Sequence, residues 1–155
     1  MIKIKKFEDA NAVQLSSLIT RNLYEVNIKD YKKELLDELA REEYNPDEII
    51  NKSKKSEILV VFKGDQIIGT GRLEKNWIYD VFVLPELHNQ GIGKEIMQEL
   101  EAIAKSKGYA KTKLPSSITA LAFYEKLGYK ATNKRTKSSR MMEKKIRTMA
   151  KRQGR

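Results

Sequence analysis

Residues 77–94 read WIYDVFVLPELHNQGIGK and join an apolar β-type run to the longest helical pattern of the chain. The run from Trp77 to Leu84 ends at Pro85, whose nitrogen carries no hydrogen to continue a sheet ladder. Gly91 and Gly93 follow where the helix starts, and there the backbone N–H groups lack intrahelical partners while the helix dipole favours negative charge. Because glycine lets an anion approach the main chain closely, this turn predicts an anion-binding site.

Two familiar phosphate motifs do not fit this turn. A dinucleotide fingerprint requires a third glycine where Ile96 stands, and a P-loop requires Ser or Thr where Glu95 follows Lys94. The glycine pair alone is therefore also compatible with an ordinary connection between a strand and a helix. The rest of the sequence must decide between an anion-binding turn and an ordinary connection.

The chain before this stretch begins with a strand and continues with helices. Ile2 and Ile4 alternate with lysines and predict a short first strand. Asp9 and Asp30 each precede a helical pattern. The expected core positions are Val13, Leu15, Leu18, Ile19 and Leu23 in the first helix and Tyr31, Leu35, Leu36 and Leu39 in the second. Asn45-Pro46 predicts a further short helix, since Asn is a common N-cap and Pro fits the first turn.

A β-hairpin is predicted next, from Ile58–Phe62 to Gln66–Gly71 around Gly64. Beyond residue 94, Ile92, Ile96, Leu100, Ile103 and Ala104 form one helical stripe, which Gly108 ends. We then expect a strand over 110–114, a helix capped by Ser116 or Ser117 that reaches Leu127, and final strands over 129–132 and 139–146. This order predicts a single domain over residues 1–146, followed by a basic tail over residues 147–155.

Composition narrows the class of protein. There is no cysteine among the 155 residues, which excludes disulfides, thiolate metal sites and cysteine nucleophiles. His88 is the only histidine, so we predict no metal site. The start of the chain alternates apolar and basic residues rather than forming the apolar run of a signal peptide, and no segment has the length of a membrane span. We therefore expect a cytoplasmic protein with no membrane partner.

The net charge of +10 resides at the C-terminal end of the chain. Residues 130–155 hold 11 of the 31 Lys and Arg but only Glu143 of the 21 acidic residues. Such an end can attract anions by long-range steering, but a solvated final strand and tail is the simpler explanation. Nucleic acid is not the partner that we expect, because RNP-like aromatic motifs are absent.

The stretch 83–94 combines with a second one, ALAFYEKLGY over residues 120–129, to resemble the GNAT superfamily of acyl-CoA N-acyltransferases. The resemblance extends over nearly the whole chain. It implies a mixed α/β fold whose mostly antiparallel sheet is flanked by helices. The family order is one strand, two helices, three antiparallel strands, a helix, a strand, a helix and two final strands. It also implies transfer of the acetyl group of acetyl-CoA to a primary amine acceptor in a ternary complex.

The resemblance implies the cofactor-binding residues. The pyrophosphate would bind the main chain of His88, Asn89, Gln90, Gly91, Ile92, Gly93 and Lys94, and the pantetheine arm would pair with Phe82 and Val83. His88 stands where the family usually has Gln or Arg. Ser117 stands where the family often has an asparagine that contacts the pantetheine.

Tyr124 matches the family position of the general acid that protonates the departing thiolate. Tyr124 and Phe123 are neighbours on a helix, so we expect Phe123 to pack in the core while Tyr124 faces the cofactor. The general base is left open. Strand alternation puts Asp80 on the face of Phe82 and Tyr79 on the opposite face, and Trp77 occupies the place of a glutamate found in several family members.

Two other functions are compatible with the sequence. One is an acyl-CoA-binding sensor without efficient transfer, and the other is an RNA-associated module that uses residues 130–155. The acidic residues within 11–56 favour a cationic or amine-bearing acceptor. The sequence leaves the acceptor unidentified and the choice between monomer and homodimer open.

Overall fold

The computed structural model describes residues 1–137 and 139–147. Most of the basic tail expected from the sequence, residues 148–155, lies outside the described residues. The helices and strands follow in this order: β1 (Ile2–Lys6), α1 (Ala12–Glu25), α2 (Lys33–Glu42), α3 (Pro46–Ser53), β2 (Glu57–Lys63), β3 (Gln66–Glu74), β4 (Trp77–Val83), α4 (Ile92–Ser106), β5 (Lys111–Ser117), α5 (Leu121–Lys126), β6 (Lys130–Arg135) and β7 (Ser139–Lys145).

The described strands form one mixed sheet in the order β1-β2-β3-β4-β5-β7-β6. All neighbours pair antiparallel except β4 and β5, which run parallel. The expected mostly antiparallel α/β fold is confirmed. The parallel pair shares only the register position Trp77 opposite Lys113, so the two strands diverge beyond it. Their C-terminal ends, at Val83 and Ser117, flank a cleft.

Helices cover both faces of the sheet. Successive residues of β3 point to opposite faces. At Gly71 the strand lies against Ile96 and Leu100 of α4. On the opposite face Thr70 and Arg72 meet Leu15 and Ile19 of α1 and Ile49 of α3, which line one small space with them. The core is therefore continuous through the sheet, and β3 and β4 lie at its centre.

Helix α3 is the one departure from the expected family order, and its own sequence explains it. Asn45 accepts a hydrogen bond from the backbone N–H of Glu48 at 2.9 Å, and Pro46 occupies the first turn. The N-cap and the proline predicted from Asn45-Pro46 are confirmed.

Both earlier helices begin later than the sequence indicates. Asp9 lies in a 3-10 turn that precedes α1, and Asp30 follows another such turn before α2 begins at Lys33. The predictions that Val13 and Leu35 belong to the core are wrong, because Val13 is 69% and Leu35 is 41% exposed. Val13 lies about 200° around the helix from Leu15, outside the buried stripe.

The close packing of α4 on β3 leads us to a prediction about the free energy of unfolding. A Cβ at Gly71 would lie 2.5 Å from Ile96 Cγ2 and 2.9 Å from Leu100 Cδ1. We expect Gly71→Ala to lower the free energy of unfolding by about 1–3 kcal/mol in urea titrations, because the packed helix must shift. Gly69→Ala is the matched control, with a closest approach of 3.2 Å to the mobile end of Ile96. A Gly71 variant as stable as the Gly69 variant would contradict this packing.

Candidate active site

A cavity of about 580 Å³ occupies the cleft where β4 and β5 diverge. One side consists of the C-terminal half of β4, the end of β5 and helix α5. The other side consists of the end of α1, the segment that follows it and helix α2. Of the residues predicted to bind a cofactor, those that line the cavity are Phe82, Val83, His88, Asn89, Gly93, Ser117 and Tyr124. The cleft therefore brings together side chains from distant parts of the sequence.

The glycine turn presents a run of unpartnered backbone amides. Asn89 and Gly91 both have left-handed backbone angles, with φ of 63° and 84°. Within the described chain no protein group accepts a hydrogen bond from any amide of residues 89–94, and the first helical bond runs from Glu95 N–H to the Gly91 carbonyl at 3.1 Å. Left-handed residues at such a turn let successive N–H groups converge on an anion.

The remaining turn residues differ in where their side chains lie. Ile92 is buried in the core, so only its amide is available to a ligand. Gln90, Gly91 and Lys94 do not line the cavity. Any contribution of these four residues to binding thus comes from the N-terminal end of α4 rather than from the cavity walls.

His88 connects the turn to the end of β4. Its Nε2 donates a hydrogen bond to the carbonyl of Val83, 2.8 Å away. Leu84 N–H donates to Ile68 of β3, so the N–H and C=O of its neighbour Val83 point to the opposite edge, toward the cleft. The single histidine therefore holds the strand end against the turn, a role that the sequence alone did not indicate.

Tyr124 and Phe123 are neighbours on α5, and both side chains line the cavity. Tyr124 is 9% exposed, lines the cavity, and has a hydroxyl with no hydrogen-bond partner among the described residues. Burial raises the pKa of Tyr124, and the charge of Asp80 adds to this. The prediction that Phe123 packs in the core is wrong: it is 38% exposed, and its ring lies over Gly93, where a Cβ would be 3.0 Å away. Both neighbouring rings therefore line the cavity.

A bulge in β4 creates a polar cluster that strand alternation does not predict. Asp80 has a φ of 58°, and the register with β3 shifts between Thr70 and Arg72. Arg72 donates to Asp80 at 2.9 Å and also lies 4.8 Å from the centre of the Tyr79 ring. Tyr79 and Asp80 therefore share a face, and the prediction that Tyr79 lies opposite is wrong because the bulge adds a residue to the strand.

Both carboxylate oxygens of Asp80 accept hydrogen bonds. One comes from Arg72 and the other from the Tyr44 hydroxyl at 2.6 Å. Burial and the charge of Asp80 raise the pKa of Tyr44, so its hydroxyl stays a donor. Tyr44 and Arg72 were missed in the sequence because the contact spans 36 residues and follows no periodic pattern.

The two serines at the end of β5 have separate roles. Ser117 lines the cavity, and its hydroxyl accepts a hydrogen bond from Ala120 N–H at 3.3 Å. Ser116 is fully buried and donates to the Ser117 carbonyl at 2.8 Å. The prediction that one of them caps α5 is wrong, because both end strand β5 and the N-cap is Ala120; Ser117 only contacts the turn before the helix.

A bridge crosses the cleft opening. Asp30 accepts hydrogen bonds from the Thr119 hydroxyl at 2.9 Å and from the Thr119 N–H at 3.2 Å. Both residues line the cavity, one on the α1–α2 side and the other on the β5–α5 side. The bridge ties the two walls of the cleft together.

Residues 27–143 match the family model described as an acetyltransferase (GNAT) domain. Among solved structures, the PaiA N-acetyltransferase from Thermoplasma acidophilum in complex with coenzyme A is similar with a TM-score of 0.84 and 25% identity, covering 94% of this chain and 99% of that one. A GCN5-related N-acetyltransferase from Rhodopseudomonas palustris shares the fold, with a TM-score of 0.83, 17% identity and coverage of 92% and 94%.

A curated relative is similar over a shorter stretch. The glucosamine 6-phosphate N-acetyltransferase of Trypanosoma brucei brucei is 46% identical over 54 residues, which make up 35% of this chain and 37% of that protein.

Among the described residues, no group of three or more potential metal ligands occurs. In the same part of the chain no helix has the length and apolarity needed to cross a membrane.

The raised pKa of Tyr124 predicts a loss of stability in alkali. In the unfolded chain the phenol ionises near pH 10.0, whereas burial holds it neutral to higher pH in the fold. Its stabilising contribution is therefore complete below about pH 10 and is lost as the pH rises toward the folded pKa. We expect the free energy of unfolding to fall progressively as the pH rises above about 10. Urea titrations of Tyr124→Phe should show a shallower fall, and equal slopes in the two proteins would contradict the shift.

Proposed function

The chain belongs to the GNAT acetyltransferase family, and we propose that it transfers the acetyl group of acetyl-CoA to a primary amine while both substrates are bound. The observation that carries this proposal is the run of unpartnered amides at residues 89–94 beside the cavity that Tyr124 enters. An anion site and a buried hydroxyl in one cleft suit a thioester that carries a diphosphate.

The main chain of the glycine turn would hold the pyrophosphate of coenzyme A. Six N–H groups at the start of α4 and the dipole of a 15-residue helix favour this anion without a cationic side chain. We assign His88 a positioning role, since its Nε2 is occupied by the Val83 carbonyl. The pantetheine arm would then lie between the diverging strands, in contact with Phe82, Val83 and Ser117.

Acetyl-CoA supplies a thioester whose acyl carbon forms the new C–N bond as the C–S bond breaks. At the free edge of β4 the Val83 N–H would donate to the carbonyl oxygen, where negative charge develops. Tyr124 would give its proton to the departing sulfur. Its raised pKa keeps the hydroxyl protonated at neutral pH, so the donor is present when the thiolate forms.

An ammonium group must lose a proton before its nitrogen can act as a nucleophile. Asp80 is a poor candidate for this base, because Arg72 and Tyr44 occupy its two oxygens. Transfer of an ammonium into a cavity with largely apolar walls disfavours its charged form. We infer that the amine enters neutral and that solvent takes the proton released after attack.

Removal of the Tyr124 hydroxyl tests the proton donor. We expect Tyr124→Phe to lower kcat at least about tenfold, with KM for acetyl-CoA within about twofold, since general acids contribute to the transition state more than to binding. Release of free thiol measures turnover. Tyr129→Phe is the matched control, because the Tyr129 hydroxyl bonds Glu101 at 2.8 Å and does not line the cavity. Full activity in Tyr124→Phe would remove this residue from the reaction.

Glycines at the two ends of α4 allow a matched pair of substitutions that tests the cofactor site. Gly91 and Gly108 have left-handed backbones with φ of 84° and 95°, so alanine at either strains the chain by about 1–2 kcal/mol. Only Gly91 lies among the unpartnered amides. We expect calorimetry to show coenzyme A binding about tenfold weaker in Gly91→Ala and nearly unchanged in Gly108→Ala. Equal effects in both variants would argue against the turn as the cofactor site.

A further inference from the structure

The cavity extends beyond the space that the cofactor would fill. If the proposed function holds, the thioester arm lies between β4 and β5, and the space beneath α1 and α2 is left for the amine. Apolar and aromatic side chains dominate this second part, namely Leu23, Val26, Tyr31, Leu36, Leu39 and Tyr79. Such walls favour an acceptor whose body is itself apolar.

The charges around the cavity exclude an anionic acceptor. Among the residues that the structure describes, no lysine or arginine lines the cavity. Its two carboxylates, Asp30 and Asp80, already accept hydrogen bonds from Thr119, Arg72 and Tyr44. A phosphate or carboxylate on the acceptor would lose its water without gaining a cationic partner, which is costly.

Asn22, a nearly buried residue in this part of the cavity, has a side-chain oxygen that accepts no hydrogen bond from the described residues. Asn22 is 2% exposed, and its Nδ2 donates to the Leu18 carbonyl at 3.1 Å. In the described part of the chain nothing donates to its Oδ1. Every side-chain oxygen or nitrogen there that is fully buried has a hydrogen-bond partner, so the Oδ1 of Asn22 must keep some contact with solvent. Since Asn22 lines the cavity, its Oδ1 opens onto it. A buried amide oxygen of this kind accepts a hydrogen bond from a ligand N–H.

We propose, on the basis of the function above, that Asn22 binds the amino group of the acceptor and that the acceptor is a primary amine on an uncharged, apolar body. The amine N–H donates to Asn22 Oδ1 while the body contacts the walls of α1 and α2. A phosphorylated amino sugar, as in the name of the trypanosomal relative, would place a dianion in a cavity without cations. The two proteins are therefore expected to differ in acceptor.

An acceptor panel tests the class of amine. With acetyl-CoA saturating, we expect kcat/KM for phenethylamine to exceed that for glucosamine 6-phosphate by at least about 100-fold, since a desolvated anion is left unpaired. We expect a smaller preference for phenethylamine over the polycation spermidine. A preference for either competitor would overturn the inference and leave the acetyltransferase proposal intact. No turnover with any of the three amines, in protein that binds coenzyme A, would contradict both.

Replacement of Asn22 tests the binding residue. Asn22→Leu keeps the approximate volume and removes the acceptor oxygen. We expect kcat/KM for phenethylamine to fall at least about tenfold, with KM for acetyl-CoA within about twofold. Asn51→Leu is the control, because Asn51 also donates from a helix, to Glu48 at 3.1 Å, but is exposed outside the cavity. If Asn22→Leu is folded by its thermal transition and retains kcat/KM for the amine, the role of Asn22 is refuted.

Discussion

The unpartnered N–H groups of residues 89–94 are the feature on which the rest of the site depends. They are free because Asn89 and Gly91 adopt left-handed angles, which start α4 without satisfying its first turn. The helix itself is fixed by its close packing on β3 at Gly71. A rigid sheet thus holds a set of donors that no protein group uses, beside a cleft formed by the divergence of β4 and β5.

Strand β4 connects this anion site to the chemistry. Its end is held by His88, its free edge faces the cleft, and its bulge directs Asp80 toward Arg72 and Tyr44. That arrangement keeps a charged group near Tyr124 and leaves the carboxylate occupied. The acceptor side, beneath α1 and α2, is built mainly from apolar side chains, and the Oδ1 of Asn22 there accepts no hydrogen bond from the described residues. Cofactor and acceptor would therefore meet along one strand.

The sequence was sufficient for the features that follow local rules. Periodicity, prolines and glycines predicted the strands, the helix starting at Gly91 and the third helix at Asn45, and the two motifs indicated the family. It failed where a single backbone irregularity or a long-range contact decides the outcome. The bulge at Asp80 places Tyr79 on the face opposite to the one that strand alternation predicts. The contact of Tyr44 with Asp80 joins residues 36 positions apart. Asn22 reads as one polar residue in an amphipathic helix, and only the cavity gives it a role.

The most direct test of the central claim is an amide ¹H–¹⁵N correlation spectrum of the labelled protein titrated with coenzyme A and, separately, with pantetheine. We expect large shifts for the amides of residues 89–94 with coenzyme A and small ones with pantetheine, which lacks the diphosphate. If those amides stay unchanged at saturating coenzyme A, or respond equally to both ligands, the glycine turn does not bind the diphosphate and the cofactor site lies elsewhere.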